Sequence, residues 1–191
     1  MKIIVLCLFL NTISFVYALF NKEQNLDISM NASSFYDYEA KSIDGQIVNF
    51  KDFKGKKIIV VNVASKCGYT PQYADLQKLY EKYKDEIIIL GFPSNDFLWQ
   101  EPGKNSNIKE FCQTKYGVSF PLFEKIVVKK NKKQHHLYTW LSHKKLNGWN
   151  DKSPSWNFCK YLIDEEGKLI KFLSPSVKPF DKQIISFIEN E

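Results

Sequence analysis

Residues 60–71 read Val-Val-Asn-Val-Ala-Ser-Lys-Cys-Gly-Tyr-Thr-Pro, an apolar run that passes through a cysteine into the start of a helix. The residues over 58–63 are nearly all apolar and β-branched, which predicts a strand that is buried on both faces. Thr70 and Pro71 predict the N-cap and the first position of a helix. Cys67 is then expected between strand and helix, where backbone N–H groups and the helix dipole favour a thiolate. A small cysteine packed in the core is the alternative that this stretch leaves open.

The composition is that of a globular protein with the length of one domain and a leader. The chain has 191 residues, a net charge of +6, and 27 basic residues, all of them lysine. Lysine lacks the two-pronged geometry with which arginine binds phosphates and carboxylates. We interpret the two densest lysine runs, 54–57 and 129–133, as solvated turns in preference to a surface for an anionic partner. No pattern resembles a nucleic-acid-binding module, so no nucleic-acid partner is expected.

Four cysteines are present, at positions 7, 67, 112 and 159. Because Cys7 falls in the leader, three remain, and an odd number over this length favours free or cycling thiols over a disulfide framework. No two cysteines have the spacing of metal ligands, so we expect no metal and no cofactor. The histidines at 135, 136 and 143 are predicted to lie on the surface of a helix.

The amino-terminal segment has the pattern of a targeting sequence. Residues 1–19 predict a signal peptide with a small residue, Ala18, near the cleavage point; an uncleaved anchor is disfavoured because polar residues interrupt the apolar run. Residues 20–34 are predicted to be a polar linker or the rest of a targeting sequence, and Asn31 begins a glycosylation sequon. The domain is expected over 35–191. We expect entry into the secretory pathway; onward transport to a plastid-type organelle, or a cytosolic location through an alternative start, stays open.

The first half of the domain predicts a hairpin followed by a β-α-β unit. Segments 35–40 and 46–50 flank an Asp-Gly turn, which is typical of a β-hairpin. The helix predicted over 71–84 is followed by a buried strand over 87–92, and this order implies parallel pairing. The long loop over 93–103 then lies at the same sheet edge as the cysteine loop, where α/β proteins place their sites.

The second half predicts two more strands and further helices. Asn107 and Glu110 predict a capping box for a helix that runs to about Tyr116 and ends at Gly117, with Cys112 on its apolar stripe. The remaining predictions are an extended segment over 122–128, a short helix over 135–142, a polar loop over 146–155, antiparallel strands over 156–164 and 168–173, and a final helix that carries Ile184, Ile185, Phe187 and Ile188.

This order of elements, with a cysteine after the first core strand, is that of a thioredoxin-like fold: α/β, a central mixed sheet flanked by helices, and an N-terminal β-hairpin. Thr70 stands where a dithiol oxidoreductase has its second cysteine, and Val60 and Ala64 replace the proline and threonine of a peroxiredoxin. Three motifs resemble those of the glutathione peroxidase family instead. They are Asn-Val-Ala-Ser-Lys-Cys-Gly-Tyr-Thr over 62–70, Phe-Pro-Ser-Asn-Asp-Phe-Leu-Trp-Gln-Glu-Pro-Gly over 92–103, and Trp-Asn-Phe over 156–158.

The resemblance implies a catalytic tetrad of Cys67, Gln100, Trp156 and Asn157. Peroxide reduction needs a thiolate nucleophile, and neutral N–H donors stabilise the thiolate and the departing oxygen. The resemblance to the cysteine-type, thioredoxin-dependent members also implies that Cys112 is the resolving cysteine. The expected cycle forms a sulfenic acid on Cys67 and then a Cys67–Cys112 disulfide, which thioredoxin reduces. We expect the helix of Cys112 to unwind locally, and we expect Cys159 to be buried and inert.

Four residues depart from the family pattern in the second motif. Ser94 replaces a common cysteine, and Asp96 replaces a glutamine whose loop hydrogen bonds are then open to question. Leu98 and Trp99 replace small residues and add apolar surface to the lip of the site. We interpret Trp99 as a packed anchor of the loop in slight preference to a substrate contact.

The expected function is therefore a thiol peroxidase that reduces hydrogen peroxide and organic or lipid hydroperoxides in antioxidant defence. Members that use glutathione resemble one another in having arginines near the active site and a tetramer loop; this chain has no arginine and only a short segment over 141–156. Thioredoxin is therefore the expected reductant, glutathione the second choice, and a monomer the expected state. The alternatives are a peroxide sensor that passes its disulfide to a partner, and a one-cysteine peroxidase recycled by glutathione.

Overall fold

The computed structural model describes residues 33–190, so the predicted signal peptide and most of the predicted linker, with Asn31, lie outside the described residues. The strands are β1 (Glu39–Lys41), β2 (Ile47–Asn49), β3 (Lys57–Val63), β4 (Ile87–Pro93), β5 (Lys160–Ile163) and β6 (Leu169–Leu173). The helices are α1 (Gln72–Lys82), α2 (Asn105–Tyr116), α3 (His136–Leu141), α4 (Lys144–Asn147) and α5 (Lys182–Glu189). Two short 3-10 turns span Phe35–Asp37 and Phe50–Phe53.

The central sheet has four strands in the order β4-β3-β5-β6. Strands β3 and β4 are parallel, whereas β5 is antiparallel to both β3 and β6, so the predicted mixed sheet is confirmed. Strands β1 and β2 form a separate antiparallel hairpin, as the Asp-Gly turn predicts. Every residue of β3 is buried because strands flank it on both sides and packed side chains cover both faces.

The two faces of the sheet carry two apolar cores. Alternate residues of β3 point to opposite faces, so Val61 belongs to the core beneath α1, α2 and α5, and Val60 to the core beneath α3 and the hairpin. The first core contains both Cys67 and Cys112. The two thiols therefore share one side of the sheet.

The chain enters the described fold at the end of the sheet opposite to Cys67. Ser33 N–H donates to Leu146 O over 2.9 Å, and Phe35 N–H donates to Gly167 O over 3.0 Å. Gly167 lies in the turn between β5 and β6, and β5 ends beside the start of β3. Because Cys67 follows the other end of β3, about 20 Å of strand separates the two ends. Within residues 33–190, none of the helices has the length and apolar character needed to cross a membrane.

Several predicted element boundaries are wrong. Helix α2 begins at Asn105, ahead of the predicted capping box, with Lys104 at the N-cap and no side-chain cap, although it ends at Gly117 as predicted, in the left-handed region at φ 64°. Residues 35–37 form a 3-10 turn because the Ser34 hydroxyl and the Asp37 carboxylate cap each other's backbone N–H groups. Segment 122–128 carries isolated bridges at Leu122 and Phe123 in place of a regular extended strand.

Candidate active site

Cys67 lies in a tight turn between β3 and α1, and its side chain is 7% exposed. Its N–H donates to Thr70 Oγ1 over 2.9 Å, and the Thr70 hydroxyl donates to Ala64 O over 2.8 Å. The N–H of Tyr69 donates to Cys67 Sγ over 3.4 Å. The turn therefore closes around the sulfur and directs a backbone donor at it.

Thr70 has a different role from the predicted one. Its hydroxyl is occupied by the cysteine turn, so it does not cap α1, which begins at Gln72 with Pro71 in a helical conformation at the N-cap position. The prediction of a helix start here is correct to within two residues. The choice of capping residue is wrong because the Thr70 hydroxyl oxygen accepts from the Cys67 N–H in place of a helix N–H.

The loop after β4 brings Gln100 against the cysteine turn. Lys66 N–H donates to Gln100 O over 3.0 Å, and the Ser65 hydroxyl donates to Glu101 Oε2 over 3.1 Å. Glu101 is almost completely buried, and burial raises the pKa of its carboxyl to about 7, although its hydrogen bonds with Ser65 oppose the rise. The two loops at this sheet edge are thus joined by backbone and side-chain contacts.

Trp156, Asn157 and Phe158 form a turn ahead of β5, and not the first part of a strand as predicted. Phe158 adopts a left-handed conformation at φ 67°, which reverses the chain. The end of β3 holds this turn in place: Phe158 N–H donates to Asn62 O over 2.6 Å, and Asn62 Nδ2 donates to Trp156 O over 2.9 Å. The Trp156 ring also packs against Phe97, with 5.6 Å between ring centroids.

This turn joins two residues of the expected tetrad. Asn157 Nδ2 donates to Gln100 Oε1 over 3.0 Å, whereas the buried Asn157 Oδ1 accepts no hydrogen bond from the described residues. Gln100 lies next to the cysteine turn, and Trp156 packs on the same core as Cys67. The Cys67 thiol and three side chains with neutral N–H groups therefore lie at one edge of the sheet, a set of groups suited to thiol chemistry with a neutral oxygen-containing substrate.

Cys112 lies on the buried side of α2, fully shielded from solvent. Burial raises the pKa of its thiol to about 11, and the facing hydroxyl of Tyr73 lowers it in part. That hydroxyl is itself buried and makes no conventional hydrogen bond. Cys67, Cys112 and Cys159 are all free thiols in this structure.

The other cysteine and His135 have different contacts. Cys159 is buried just ahead of β5, with Sγ 3.8 Å from Ser155 Oγ. His135 is not a simple surface residue: it caps α3, and burial lowers its pKa to about 4. Among residues 33–190, no three histidine, cysteine or acidic side chains are grouped so that they could hold a metal ion.

The predicted packing of Trp99 is wrong. Leu98 and Trp99 are 69% and 78% exposed, and both have positive φ angles, 50° and 52°. Two successive left-handed residues push both side chains outward beside Gln100, and they form an exposed apolar lip. Asp96 holds the base of the loop, since its Oδ2 accepts the N–H groups of Val128 at 2.6 Å and Lys129 at 2.8 Å.

Sequence reasoning missed two buried charged groups near the site. The burial of Glu101 and Lys160 is not predicted by their residue types, because charged residues are mostly solvent-exposed. A lysine between Cys159 and Tyr161, in a run that is otherwise apolar, is the one signal that could have identified Lys160.

Comparison with known proteins identifies the family of this chain. The model of the family described as glutathione peroxidase matches residues 35–142. A glutathione peroxidase of Lactococcus lactis is 48% identical over 147 residues, covering 76% of this chain and 92% of the relative. The glutathione peroxidase-like peroxiredoxin 2 of Saccharomyces cerevisiae is 45% identical over 159 residues, covering 82% of this chain and 98% of the relative. A hydroperoxy fatty acid reductase of Synechocystis is 43% identical, covering 77% of this chain and 90% of the relative.

The fold comparison leads to the same family. The crystal structure of T. cruzi GPX1 superposes with a TM-score of 0.64 at 28% identity, covering 82% of this chain and 97% of that one. A secreted disulfide oxidoreductase of Mycobacterium tuberculosis, at 10% identity and a TM-score of 0.56, shares the fold alone. The thioredoxin-like fold is therefore confirmed, and the chain belongs to the glutathione peroxidase family.

Proposed function

We propose that this protein is a thiol peroxidase that reduces hydrogen peroxide and organic or lipid hydroperoxides, with Cys67 as its nucleophile. The observation that carries the proposal is the pairing of Asn157 with Gln100 beside the turn that holds Cys67. Family membership and the relatives named as peroxiredoxin-like proteins and as a hydroperoxy fatty acid reductase support the reaction class.

The chemistry follows from these groups. The Cys67 thiolate attacks one peroxide oxygen, the O–O bond breaks, and the other oxygen leaves as water or an alcohol after it takes up a proton. Cys67 becomes a sulfenic acid, oxidised by two electrons. The amides of Gln100 and Asn157 and the indole N–H of Trp156 serve as donors to the charge that develops on sulfur and on the departing oxygen.

Cys112 is proposed to resolve the sulfenic acid. Its sulfur attacks Cys67 Sγ, water leaves, and a disulfide forms that the dithiol of thioredoxin reduces by exchange. Cys112 is buried and its thiol has a raised pKa, so the attack requires α2 to open locally.

The second candidate function is a peroxide sensor or relay. The burial of Cys112 favours it, because slow resolution leaves the oxidised Cys67 available to a partner.

The exposed lip supports apolar hydroperoxides as substrates. Leu98 and Trp99 lie immediately before Gln100 and contribute apolar surface next to the donors. A fatty-acid hydroperoxide gains from contact with such surface, whereas hydrogen peroxide does not.

Peroxide turnover with thioredoxin or glutathione as the only reductant tests the function. We expect fast turnover with thioredoxin, complete loss in Cys67→Ser, and loss of turnover but not of the first oxidation in Cys112→Ser. Cys159→Ser is the matched control, since it also removes a buried thiol. Efficient turnover with glutathione in Cys112→Ser would assign a one-cysteine cycle, and negligible turnover with both reductants would favour the sensor.

We also propose that the protein enters the secretory pathway and that it is a monomer. Amino-terminal sequencing of the mature protein tests cleavage near residue 19, and analytical ultracentrifugation tests the monomer. A mature protein that begins at Met1, or a stable tetramer, would overturn the respective proposal.

A further inference from the structure

Lys160 is a lysine that the protein buries completely at the first position of β5. It follows Asn157 by three residues, and all four residues of β5 are buried. Within residues 33–190, no carboxylate lies within 4 Å of its ammonium group, whereas three other lysines have acidic partners. The molecule thus encloses a cation without a counter-charge next to its candidate active site.

The ammonium of Lys160 is fully hydrogen-bonded by three neutral oxygens. It donates to Gln72 Oε1 over 2.7 Å, to Phe158 O over 2.8 Å and to Val177 O over 2.7 Å. An ammonium group has three donors, so none is left over. The three acceptors come from three separate segments: the first turn of α1, the turn of Trp156 and Asn157, and the loop after β6.

This arrangement is costly to the fold. Burial lowers the pKa of Lys160 to about 8, because the interior disfavours the charged form. Apolar side chains of similar volume commonly match or exceed the stability that buried charged groups provide. Stability alone therefore gives a poor account of a lysine at this position.

Lys160 holds the turn formed by Trp156, Asn157 and Phe158, which contains two residues of the expected tetrad. Phe158 has a left-handed backbone, its N–H is bound by Asn62 O, and its carbonyl oxygen is bound by Lys160. Through Gln72, the same ammonium is tied to the first residue of the helix that follows Cys67. Gln72 Nε2 in turn donates to Pro175 O over 2.8 Å, which fixes the far side of this contact.

We propose that Lys160 is a positioning residue of the peroxidase: its ammonium group fixes the Trp156–Asn157 turn relative to the helix behind Cys67. This inference rests on the proposed function. Lys160 touches no reacting atom; it acts through the backbone of Phe158. A displacement of about 1 Å in a catalytic group can cost about a hundredfold in rate.

A second buried lysine provides a matched control. Lys57 is 4% exposed at the start of β3, the end of the sheet that lies away from Cys67. Its ammonium donates to Ile188 O over 2.7 Å and to Asn190 Oδ1 over 2.6 Å, and it lies 3.8 Å from Glu165 Oε1. Lys57→Met therefore removes comparable hydrogen bonds without touching the turn of the tetrad.

The test compares Lys160→Met with Lys57→Met. Stopped-flow measurement of Cys67 oxidation by hydrogen peroxide in the full chain gives the rate constant, and thermal unfolding gives the stability. We expect both variants to lose stability, Lys160→Met to slow the oxidation at least tenfold, and Lys57→Met to stay within twofold of wild type. In the two-dimensional NMR spectrum, the Trp156 indole N–H resonance should move in Lys160→Met and not in Lys57→Met.

Two further variants keep the inference testable if Lys160→Met does not fold. Gln72→Met removes one acceptor and should slow oxidation by a smaller factor. Lys160→Ala leaves space for a small amine, so ethylamine should restore part of its rate; the corresponding Lys57→Ala should show no amine response. Equal slowing in the Lys160 and Lys57 variants, or a rate for Lys160→Met within twofold of wild type, would overturn the role. An inactive wild type would instead overturn the proposed function.

Discussion

Asn157 Nδ2 donates a hydrogen bond to Gln100 Oε1 over 3.0 Å, and this contact joins residues 57 positions apart in the chain. Because Gln100 Oε1 is the acceptor, Gln100 Nε2 is left as a donor that has no acceptor among the described residues. The pair therefore orients the glutamine amide so that its N–H groups are available to a substrate oxygen or to the cysteine sulfur.

Double-mutant analysis of Gln100→Ala and Asn157→Ala should reveal this coupling. Each single change is expected to slow Cys67 oxidation by about 10²-fold, the usual cost of losing one donor to a developing charge. The double variant should lose less than the product of the two, because Gln100 is oriented by Asn157. The effect is measured as the stopped-flow rate constant of Cys67 oxidation, at a pH above which this rate constant no longer rises. Strictly multiplicative losses would contradict it, and Asn150→Ala, a buried asparagine elsewhere, should leave the rate unchanged.

Glu101→Gln should change the pH dependence of stability. The pKa of Glu101 is raised to about 7 by burial, so the folded protein holds a proton that the unfolded chain releases above pH 4.5. The bound proton therefore contributes to the free energy of unfolding. This contribution is fully present below pH 4.5 and is lost as the pH rises through 7, a loss of up to about 3 kcal/mol. The amide of glutamine cannot ionise, so the variant should be more stable than wild type at pH 8.

Urea unfolding at pH 4.5 and pH 8 measures that difference. The exposed Glu110→Gln is the control and should follow the wild-type curve at both pH values. If Glu101→Gln retains the wild-type fall in stability between the two pH values, a different group is responsible for it.

Replacing the apolar lip should separate two classes of substrate. Glycine relieves the positive φ angles at Leu98 and Trp99 while it removes both apolar side chains. In the double glycine variant, we expect hydrogen peroxide to react within threefold of wild type and a fatty-acid hydroperoxide to react about tenfold more slowly. The control is Ile47→Ser, which removes an exposed apolar side chain from β2. Equal slowing with both peroxides would argue against the lip as a substrate contact.

Tyr73→Phe should slow the formation of the Cys67–Cys112 disulfide. The Tyr73 hydroxyl lowers the pKa of the Cys112 thiol, so its removal reduces the thiolate available for attack. Tyr138→Phe is the control, since it removes another buried hydroxyl without a partner, in the other core. Both variants should gain about 1 kcal/mol in stability. Disulfide formation after one equivalent of peroxide, followed by mass spectrometry, should be several-fold slower in Tyr73→Phe alone.

The sequence was sufficient for the sheet and for the placement of Cys67. The continuous apolar runs of β3 and β4 have one stable position in an α/β protein, between covering layers, and the helix between them requires parallel pairing. Gly117 was also predictable as a helix end, because its left-handed backbone favours glycine.

The errors arise where side chains compete for the backbone. Thr70 and Asn107 both fit capping patterns, but the Thr70 hydroxyl oxygen accepts from the Cys67 N–H, and Asn107 lies two residues inside α2. The alternation around Asn157 suggested a strand, whereas hydrogen bonds from Asn62 and to Gln100 hold a turn. These contacts join distant parts of the chain, so no local pattern contains them. The sequence slightly favoured Trp99 as a packed anchor over a substrate contact, but the left-handed backbone turns its side chain outward.

Both ends of the described chain lie at one pole of the molecule. Ser33 is bound to Leu146, and the carbonyl of Ile188 is bound by Lys57 at the start of β3. Cys67 follows the opposite end of that strand. A protein attached to a resin, an electrode or a fused carrier at either of these positions would therefore be displayed with the sheet edge that carries Cys67 directed away from the support, toward both peroxide and reductant.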